Sequence, residues 1–224
     1  VMPPTMPPPL RLERVDLDSD ASLEEIDRAF ERATDLSLKQ AWLDHGQEGF
    51  QPGSVRAGWC ESYLHVFARM VDDDIVIVGN PTRKSHIEAG DIFQVFVERP
   101  GHGDYLEIHM TPDNQLRALA WQPHLLKKFR NGKLPLDSIL LRDTPKPESN
   151  TWILKEKSSW IAYLKLPLRL LNPEFPSDVG GTFCKITFCR FDASAELDVP
   201  ILSSTSDFPH RPLFHQQEFW DPCT

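Results

Sequence analysis

The fold class follows from one segment, Asp91-Ile92-Phe93-Gln94-Val95-Phe96-Val97-Glu98, because its side chains alternate between two faces. Phe93, Val95 and Val97 form an apolar face, and the intervening residues form a mixed one. The next segment, Tyr105-Leu106-Glu107-Ile108-His109-Met110, repeats this alternation. A period of two with one apolar face predicts antiparallel strands on a packed sheet. The mixed face combines aromatic, amide, carboxylate and imidazole groups, and we expect a binding site there.

Short segments with strand character continue on both sides of this pair, and turn residues separate them. Ser22 is a predicted helix N-cap, since Glu25 follows three residues later and apolar residues then recur at helical spacing up to Ala33. The pattern predicts an all-β fold, an antiparallel two-sheet β-sandwich of immunoglobulin-like or jelly-roll-like type with one or two short helices. The predicted strands are residues 10–17, 54–60, 63–71, 92–98, 105–111, 115–121, 152–156, 159–167 and 181–191.

The remaining segments connect or cover these strands. Residues 35–50 are ambiguous between a strand edge and a docked loop, and residues 123–147 are predicted to form a basic, solvated loop. The stretch from Leu197 onward is proline-rich and aromatic and is predicted to wrap back over the core. We expect residues 1–9 to be a flexible proline-rich tail and residues 10–224 to be a single domain.

Composition excludes several classes of partner. The chain has 224 residues, of which 40% are hydrophobic and 25% charged, as in an ordinary globular protein. Its net charge of −9 argues against nucleic acid and anionic membranes as partners. No apolar run approaches the roughly 20 residues that span a bilayer. The N-terminal tail is either what remains after a leader was removed or an ordinary terminus, and we expect an extracellular or periplasmic protein of bacterial origin.

The four cysteines form no metal-binding signature. Cys184 and Cys189 lie five residues apart on a predicted strand, so their side chains point to opposite faces and do not pair with each other. Unpaired structural thiols are expected, and a bridge to Cys60 or Cys223 remains the alternative.

Catalytic signatures are absent from the sequence. It contains no G-x-S-x-G elbow, P-loop, dinucleotide fingerprint or H-E-x-x-H motif, and its eight histidines lack zinc-site spacing. We therefore expect a protein that is not an enzyme. Asp72-Asp73-Asp74 is the densest acidic cluster. It is interpreted either as a calcium ligand set or, more simply, as a solvated turn.

Six tryptophans supply flat rings on which a sugar can stack, although a tryptophan taken singly is more often part of a core than a stacking platform. Several segments, in order, resemble the carbohydrate-binding module family 9-like domains. They include the family's tryptophan strand, acidic turn, glycine–aspartate strand, isoleucine–proline strand, arginine-ended strand and a degenerate closing element. The corresponding residues are 57–66, 72–75, 90–97, 160–168, 183–190 and 214–219.

This resemblance implies an antiparallel sandwich, often with bound calcium, whose best-known members clamp the end of a glycan chain between two tryptophans. Here the two clamp positions hold Glu88 and Leu213, so both stacking rings are lost. At the family's sugar-bonding positions stand Gln94 and His109, which still bond hydroxyls. The carbohydrate-binding residues predicted on this basis are Gln94, His109, Glu107, Tyr105, Glu88, Trp121 and Arg190, with Trp121 as a substitute platform.

Two other hypotheses remain open. One is a structural or interaction module that kept the sandwich and lost the sugar clamp, with a filled surface where the clamp stood. The other is a haem-binding or hydrolytic relative, with either a deep apolar pocket served by His109 or Met110, or a converging carboxylate pair.

Overall fold

The computed structural model describes residues 9–18, 20–78, 90–98, 103–171, 184–194, 196–210 and 213–224. Twelve strands and two α-helices occur in these ranges. The strands are β1 (Glu13–Arg14), β2 (Leu36–Leu38), β3 (Gly53–Trp59), β4 (Tyr63–Val71), β5 (Ile92–Glu98), β6 (Tyr105–Met110), β7 (Leu116–Trp121), β8 (Glu148–Leu154), β9 (Ser159–Pro167), β10 (Cys184–Asp192), β11 (Ile201–Ser204) and β12 (Asp221–Cys223). The helices are α1 (Leu23–Ala29) and α2 (Pro123–Arg130).

The strands form two six-stranded sheets that pack face to face. Sheet I has the order β1-β3-β4-β9-β8 with β2 beside β3, and sheet II has the order β11-β10-β5-β6-β7 with β12 beside β10. The named strands pair antiparallel except β1 with β3. The predicted all-β, two-sheet sandwich with two short helices is confirmed.

Alternation places the apolar residues between the sheets as predicted. Phe93, Val95 and Val97 from β5 are completely buried there, and so are Leu106, Ile108 and Met110 from β6. The register brings Val95 opposite Ile108 on β6 and opposite Phe188 on β10. Burial of this shared apolar layer is the main stabilising contribution to the sandwich.

Helix α1 closes one side of sheet I and begins where the sequence predicts. The Ser22 side chain accepts from the Glu25 backbone N–H, and Glu25 Oε2 accepts from the Ser22 backbone N–H at 2.8 Å. This capping box satisfies donors that the first helical turn leaves unpaired. Ile26 and Phe30 then pack against Phe67 of β4.

The two ends of the described chain lie side by side. Leu10 N–H donates to Pro222 O at 2.7 Å, Leu12 N–H to Thr224 O at 2.9 Å, and Thr224 N–H to Leu10 O at 3.0 Å. The bridge between Leu10 and Cys223 is parallel. Of the strand predicted over residues 10–17, only this bridge and β1 form. The predicted tail lies outside the described residues except for Pro9.

Two other segments differ from the sequence-based expectation. The predicted loop over residues 123–147 begins with helix α2, whose first residue is Pro123, and the closing segment contributes two additional strands, β11 and β12. Proline is favoured at the first helical position because no intrahelical N–H bond is lost there. Within the described ranges, no helix is long and apolar enough to cross a membrane.

Candidate functional site

The mixed face of β5, β6 and β7 is covered rather than open. Its residues are only 1–4% exposed: Gln94, Phe96, Tyr105, Glu107, His109 and Trp121. Leu125, Leu126 and Phe129 of α2 pack over one part of this face, and Phe208, Phe214 and Trp220 of the closing segment pack over another. The mixed face on which we expected a binding site is therefore closed to solvent, because two segments distant in sequence supply an apolar cover.

Aromatic contacts hold the cover in place. Phe129 meets the Trp121 ring edge-on at 5.3 Å between ring centroids, and Trp220 meets Tyr105 edge-on at 5.3 Å. Such edge-to-face pairs add roughly 0.5–1.5 kcal/mol each beyond burial. Trp121, predicted as a platform for sugar stacking, is thus already in contact with protein rings and is not exposed to a ligand.

Beneath this cover lies a network of polar side chains, which we call the Glu–His cluster: Gln94, Tyr105, Glu107, His109, Trp121 and His215. Glu107 is its centre. Trp121 Nε1–H donates to Glu107 Oε2 at 2.6 Å, and His109 Nε2 lies 2.7 Å from Glu107 Oε1. Gln94 Nε2 lies 2.9 Å from His109 Nε2, and the Tyr105 hydroxyl lies 2.7 Å from His215 Nδ1.

The charge states follow from these contacts. Burial by itself raises the pKa of Glu107, but His109, His215 and the Trp121 N–H outweigh it, so that the pKa lies below its ordinary value. Glu107 is therefore a carboxylate, and His109 Nε2 donates to it. Burial lowers the pKa of His215. A neutral His215 with its Nε2–H directed toward Glu107, 3.8 Å away, accepts the Tyr105 hydroxyl at Nδ1.

Among the described residues, His109 Nδ1 is buried and has no hydrogen-bond partner. His109 Nε2–H already donates to Glu107 and cannot accept from the Gln94 NH2 group, so the Gln94 amide oxygen is assigned to the position beside His109 Nε2. Buried polar atoms are seldom left unpaired, because each unmade hydrogen bond costs about 1–3 kcal/mol. An unpartnered atom beside a cavity therefore indicates a place where a ligand or water supplies the missing group.

Such a cavity adjoins His109. It has a volume of about 330 Å³ and lies between the ends of β6 and β7 and the segment that leads into β8. Leu116, Ala118 and Leu140 give it an apolar side. Among the described residues that line it there is no aromatic side chain. The full lining is His109, Thr111, Gln115, Leu116, Arg117, Ala118, Leu140, Leu141, Lys146 and Pro147.

Arg190 belongs to a different site, and its predicted place on the ligand-binding face is wrong. Ile186, Phe188 and Arg190 share the inner face of β10, and Arg190 is completely buried between the sheets. Its Nη2 donates to Asp72 Oδ2 at 3.0 Å and to Asp192 Oδ1 at 2.9 Å, and its Nη1 donates to Val71 O at 2.7 Å. Arg190 thus ties sheet II to the end of β4 in sheet I.

We call Asp72, Asp91, Arg190 and Asp192 the Asp–Arg cluster. Burial, and then the charge of Asp72, raises the pKa of Asp91 to about 8. Burial also raises the pKa of Asp72 and that of Asp192, the latter to about 7. The cluster contains three carboxyl groups and one cation, the Arg190 guanidinium. A proton retained on one carboxyl group lowers the net negative charge of the cluster, and Asp91 is the group that retains it.

One oxygen from each of the three carboxyl groups of this cluster lies within 4.8 Å of the others, as the ligands of a calcium ion would. Calcium takes six to eight oxygen ligands. Here both Asp91 oxygens accept backbone N–H groups, from Val76 and Ala193, and Asp72 accepts from Asp74 N–H and from Arg190. Because these oxygens are already used and the Arg190 guanidinium supplies the cation, the residues present do not fit a calcium ion.

The other predicted site residues are placed as follows. Glu88 lies outside the described residues, and Leu213 is 58% exposed. Met110 packs between the sheets, on the face opposite His109, so the two side chains do not serve one pocket. His215 was not predicted as a site residue, and only its position in the degenerate closing element drew attention to it.

Comparison with known proteins gives structural matches alone, since no family model and no curated protein matches the sequence. A protein from Bacteroides uniformis ATCC 8492, named only as a candidate carbohydrate-binding protein, is 13% identical with a TM-score of 0.68, over 96% of this chain and 97% of that chain. A carbohydrate-binding module of family 9 from Caldicellulosiruptor kristjanssonii, solved with cellotriose, is 12% identical with a TM-score of 0.65, over 96% and 92%.

A family 9 module from the same organism, solved with glucose, is 10% identical with a TM-score of 0.55, over 88% of this chain and 84% of that chain. The chain therefore has the family 9-like fold that the sequence resemblance predicted. Identities this low establish the fold and not the ligand.

Proposed function

We propose that this protein is a non-catalytic carbohydrate-binding domain and that it holds a saccharide in the cavity beside His109. The observation that carries the proposal is the cavity of about 330 Å³ lined by His109, a side chain whose buried Nδ1 has no partner among the described residues. Two of the matched structures, with the same fold, were solved with cellotriose and glucose. Of the predicted site residues, His109 contacts the ligand, while Gln94 and Glu107 act through it.

The chemistry of the cavity supports a sugar. A pyranose has apolar ring faces and a polar rim, and Leu116, Ala118 and Leu140 offer apolar contact while Thr111 and Gln115, both already hydrogen-bonded to Asp113, present a hydroxyl and an amide. The volume, about 330 Å³, is near the low end of the roughly 300–1,000 Å³ typical of small-molecule sites. A short saccharide or one chain end therefore fits better than a long internal stretch of polymer.

A glycan array followed by calorimetric titration tests this proposal. We expect binding of at least one saccharide by the unmodified protein and a loss of about tenfold or more in affinity for Gln115→Ala and for His109→Phe. The matched control is His45→Phe, which alters an exposed histidine outside the cavity. If the folded protein binds no saccharide on the array, or if His109→Phe binds as well as the control, the proposal fails.

The covered sheet face favours a second candidate, a structural or interaction module that lost the sugar clamp. This candidate was expected to have a flat or filled surface at the clamp; α2 and the closing segment cover the mixed face of β5, β6 and β7, while Leu213 at one clamp position is 58% exposed. It predicts no saccharide binding by the folded protein. A polysaccharide ligand would instead agree with the expected extracellular or periplasmic location, which cell fractionation would test.

A further inference from the structure

We propose that Cys184 and Cys223 are a site of oxidative modification, at which a disulfide bond joins β10 to β12. The two residues are directly opposite each other in the antiparallel register of these strands. Both are free thiols in this structure, and both are buried in the apolar layer between the sheets. The bond would tie sheet II to the end of the closing segment, and it does not depend on the carbohydrate-binding function proposed above.

The register meets the distance requirement of a disulfide bond. Directly opposed residues on antiparallel strands have Cα atoms about 4.5 Å apart at one kind of pair and about 5.5 Å apart at the other. Disulfide bonds span Cα separations of about 4.4–6.8 Å, so both values fall within the range. The side chains of an opposed pair leave the same face of the sheet, and the Cys223 thiol is in hydrogen-bonding contact with the Cys184 thiol.

The other two cysteines have different neighbours, and all four cysteines lie in the described ranges. Cys189 is on the opposite face of β10, where its Sγ–H donates to Ser204 Oγ at 3.8 Å. Cys60 follows β3 in sheet I, and its Sγ lies 3.3 Å from His65 Nε2. Of the bridges that the sequence left open, the structure therefore brings together the one between β10 and β12.

The bond forms by thiol–disulfide exchange with a small disulfide such as glutathione disulfide. The thiolate of one cysteine attacks a sulfur of this oxidant and expels one glutathione thiol. The thiolate of the other cysteine then attacks the mixed disulfide and expels the second glutathione thiol. The two cysteines lose two protons and two electrons, and the oxidant takes them up as two thiols.

The exchange takes place during folding rather than in the folded state. The contact with Cys184, and then burial, raise the pKa of the Cys223 thiol. A protonated thiol is a poor nucleophile, and a thiol that is 0% exposed, as that of Cys223 is, does not meet an oxidant. Oxidation therefore precedes the closure of β12 onto β10, and the closed pair is afterwards shielded from reductants in the same way.

The bond would also fasten the cover of the Glu–His cluster. β11 and β12 both pair with β10, on the edge away from β5. The chain between them carries Phe208, Phe214 and Trp220, which pack over the mixed face of sheet II. A disulfide bond restricts the unfolded chain, and its effect grows with the length of the loop that it closes. A bond at β12 thus stabilises the return of this segment to sheet II.

Oxidative refolding of the full chain tests the pairing. The chain is refolded with reduced and oxidised glutathione, unfolded in urea, alkylated without reduction, and mapped by tryptic mass spectrometry. Trypsin cleaves after Lys185, so Cys184 and Cys189 fall in different peptides. We expect at least about nine-tenths of the refolded protein to contain peptides linked through Cys184 and Cys223, with Cys60 and Cys189 alkylated.

This mapping uses the unmodified protein, so it does not require a variant that folds. Alkylation of both Cys184 and Cys223, or a link from either one to Cys60 or Cys189, would overturn the inference.

Urea denaturation with and without a reductant connects the bond to the fold. Reduction should lower the urea midpoint of the refolded, unmodified protein and leave that of Cys223→Ala unchanged. Cys60→Ala is the matched control, since it removes a thiol outside the pair and should keep the full shift. An equal shift in Cys223→Ala would contradict the assignment. Neither measurement involves a saccharide, so the outcome is independent of the proposed function.

Discussion

The Asp–Arg cluster and the Glu–His cluster lie on opposite faces of sheet II, and both are buried, but their surroundings differ. In the first, Arg190 supplies the cation and backbone N–H groups occupy the carboxyl oxygens of Asp91, while Arg190 Nε is unpaired. In the second, His109 Nδ1 is unpaired and His109 lines a cavity. A polar cluster that contains its own counter-charge between the sheets holds them together, whereas one that adjoins a cavity has the features of a binding site.

The largest expected effect comes from removing the internal cation. Arg190→Met leaves the carboxyl groups of Asp72 and Asp192 buried without a cationic partner, and we expect a loss of about 3–5 kcal/mol in the free energy of unfolding. Urea denaturation measures it. The control is Arg69→Met, which removes an ion pair to Asp27 between half-exposed side chains and should cost less than about 1 kcal/mol. Equal losses for the two variants would show that the Asp–Arg cluster does not join the sheets.

A smaller loss is expected in the Glu–His cluster. Trp121→Phe keeps most of the ring and removes the N–H that donates to Glu107 at 2.6 Å, so the unfolding free energy should fall by about 1–3 kcal/mol. Trp42→Phe, at a half-buried indole for which no hydrogen bond is described, provides the matched control. An effect no greater than that of the control would mean that solvent already reaches Glu107.

The pH dependence of stability distinguishes the clusters further. A carboxyl group whose pKa is raised on folding binds its proton more tightly in the folded state, so its contribution falls as pH rises from the ordinary value of 3.8 to about 8. Asp91→Asn should therefore lose less stability than the unmodified protein between pH 5 and pH 8, where these bounds are approximate. Urea midpoints at the two values measure the difference.

The change in stability between the two pH values must be compared between variants, because other groups in the same protein also titrate. Burial lowers the pKa of His65 to about 4, and this group gives the opposite slope, with stability rising as pH increases from about 4 toward 6.5. Asp44→Asn, at an exposed carboxyl group, controls for the loss of a charge. A slope for Asp91→Asn identical to that of Asp44→Asn would contradict the proton assigned to Asp91.

The smallest expected effect is that of calcium. Because Arg190 already supplies the cation of the Asp–Arg cluster, millimolar calcium should leave the melting temperature unchanged, as should a chelator. Differential scanning calorimetry of the full chain measures both. A rise in melting temperature with calcium, and not with magnesium at equal ionic strength, would show that a metal site exists and would restore the interpretation of Asp72 as a ligand.

The core-facing residues of the strands were predictable from the sequence. The segments that cover the outer face of sheet II were not. Alternation correctly assigned Phe93, Val95 and Val97 to the core, since a period of two reports which residues share a face. It does not report which distant segment packs on the other face. Tyr105 meets His215 across 110 positions in sequence, and nothing local to either residue signals that contact.

Two errors could have been avoided from the sequence. Arg190 has the same parity as Ile186 and Phe188, which already places it with the core residues of β10. Leu125, Leu126 and Phe129, after a proline suited to a first helical turn, have the spacing of an apolar helix face rather than a solvated loop. The cavity beside His109, by contrast, forms only when the segment before β8 lies across β7, and that arrangement is tertiary.

The pairing of the two chain ends has a mechanical consequence. The segment at Leu10 and the segment at Thr224 run parallel and share three backbone hydrogen bonds. Tension between residue 10 and residue 224 therefore pulls the two segments along their length, in shear, and loads all three bonds together rather than one after another. The domain would resist extension at this pairing before force reached β6 and β7, the strands that line the cavity.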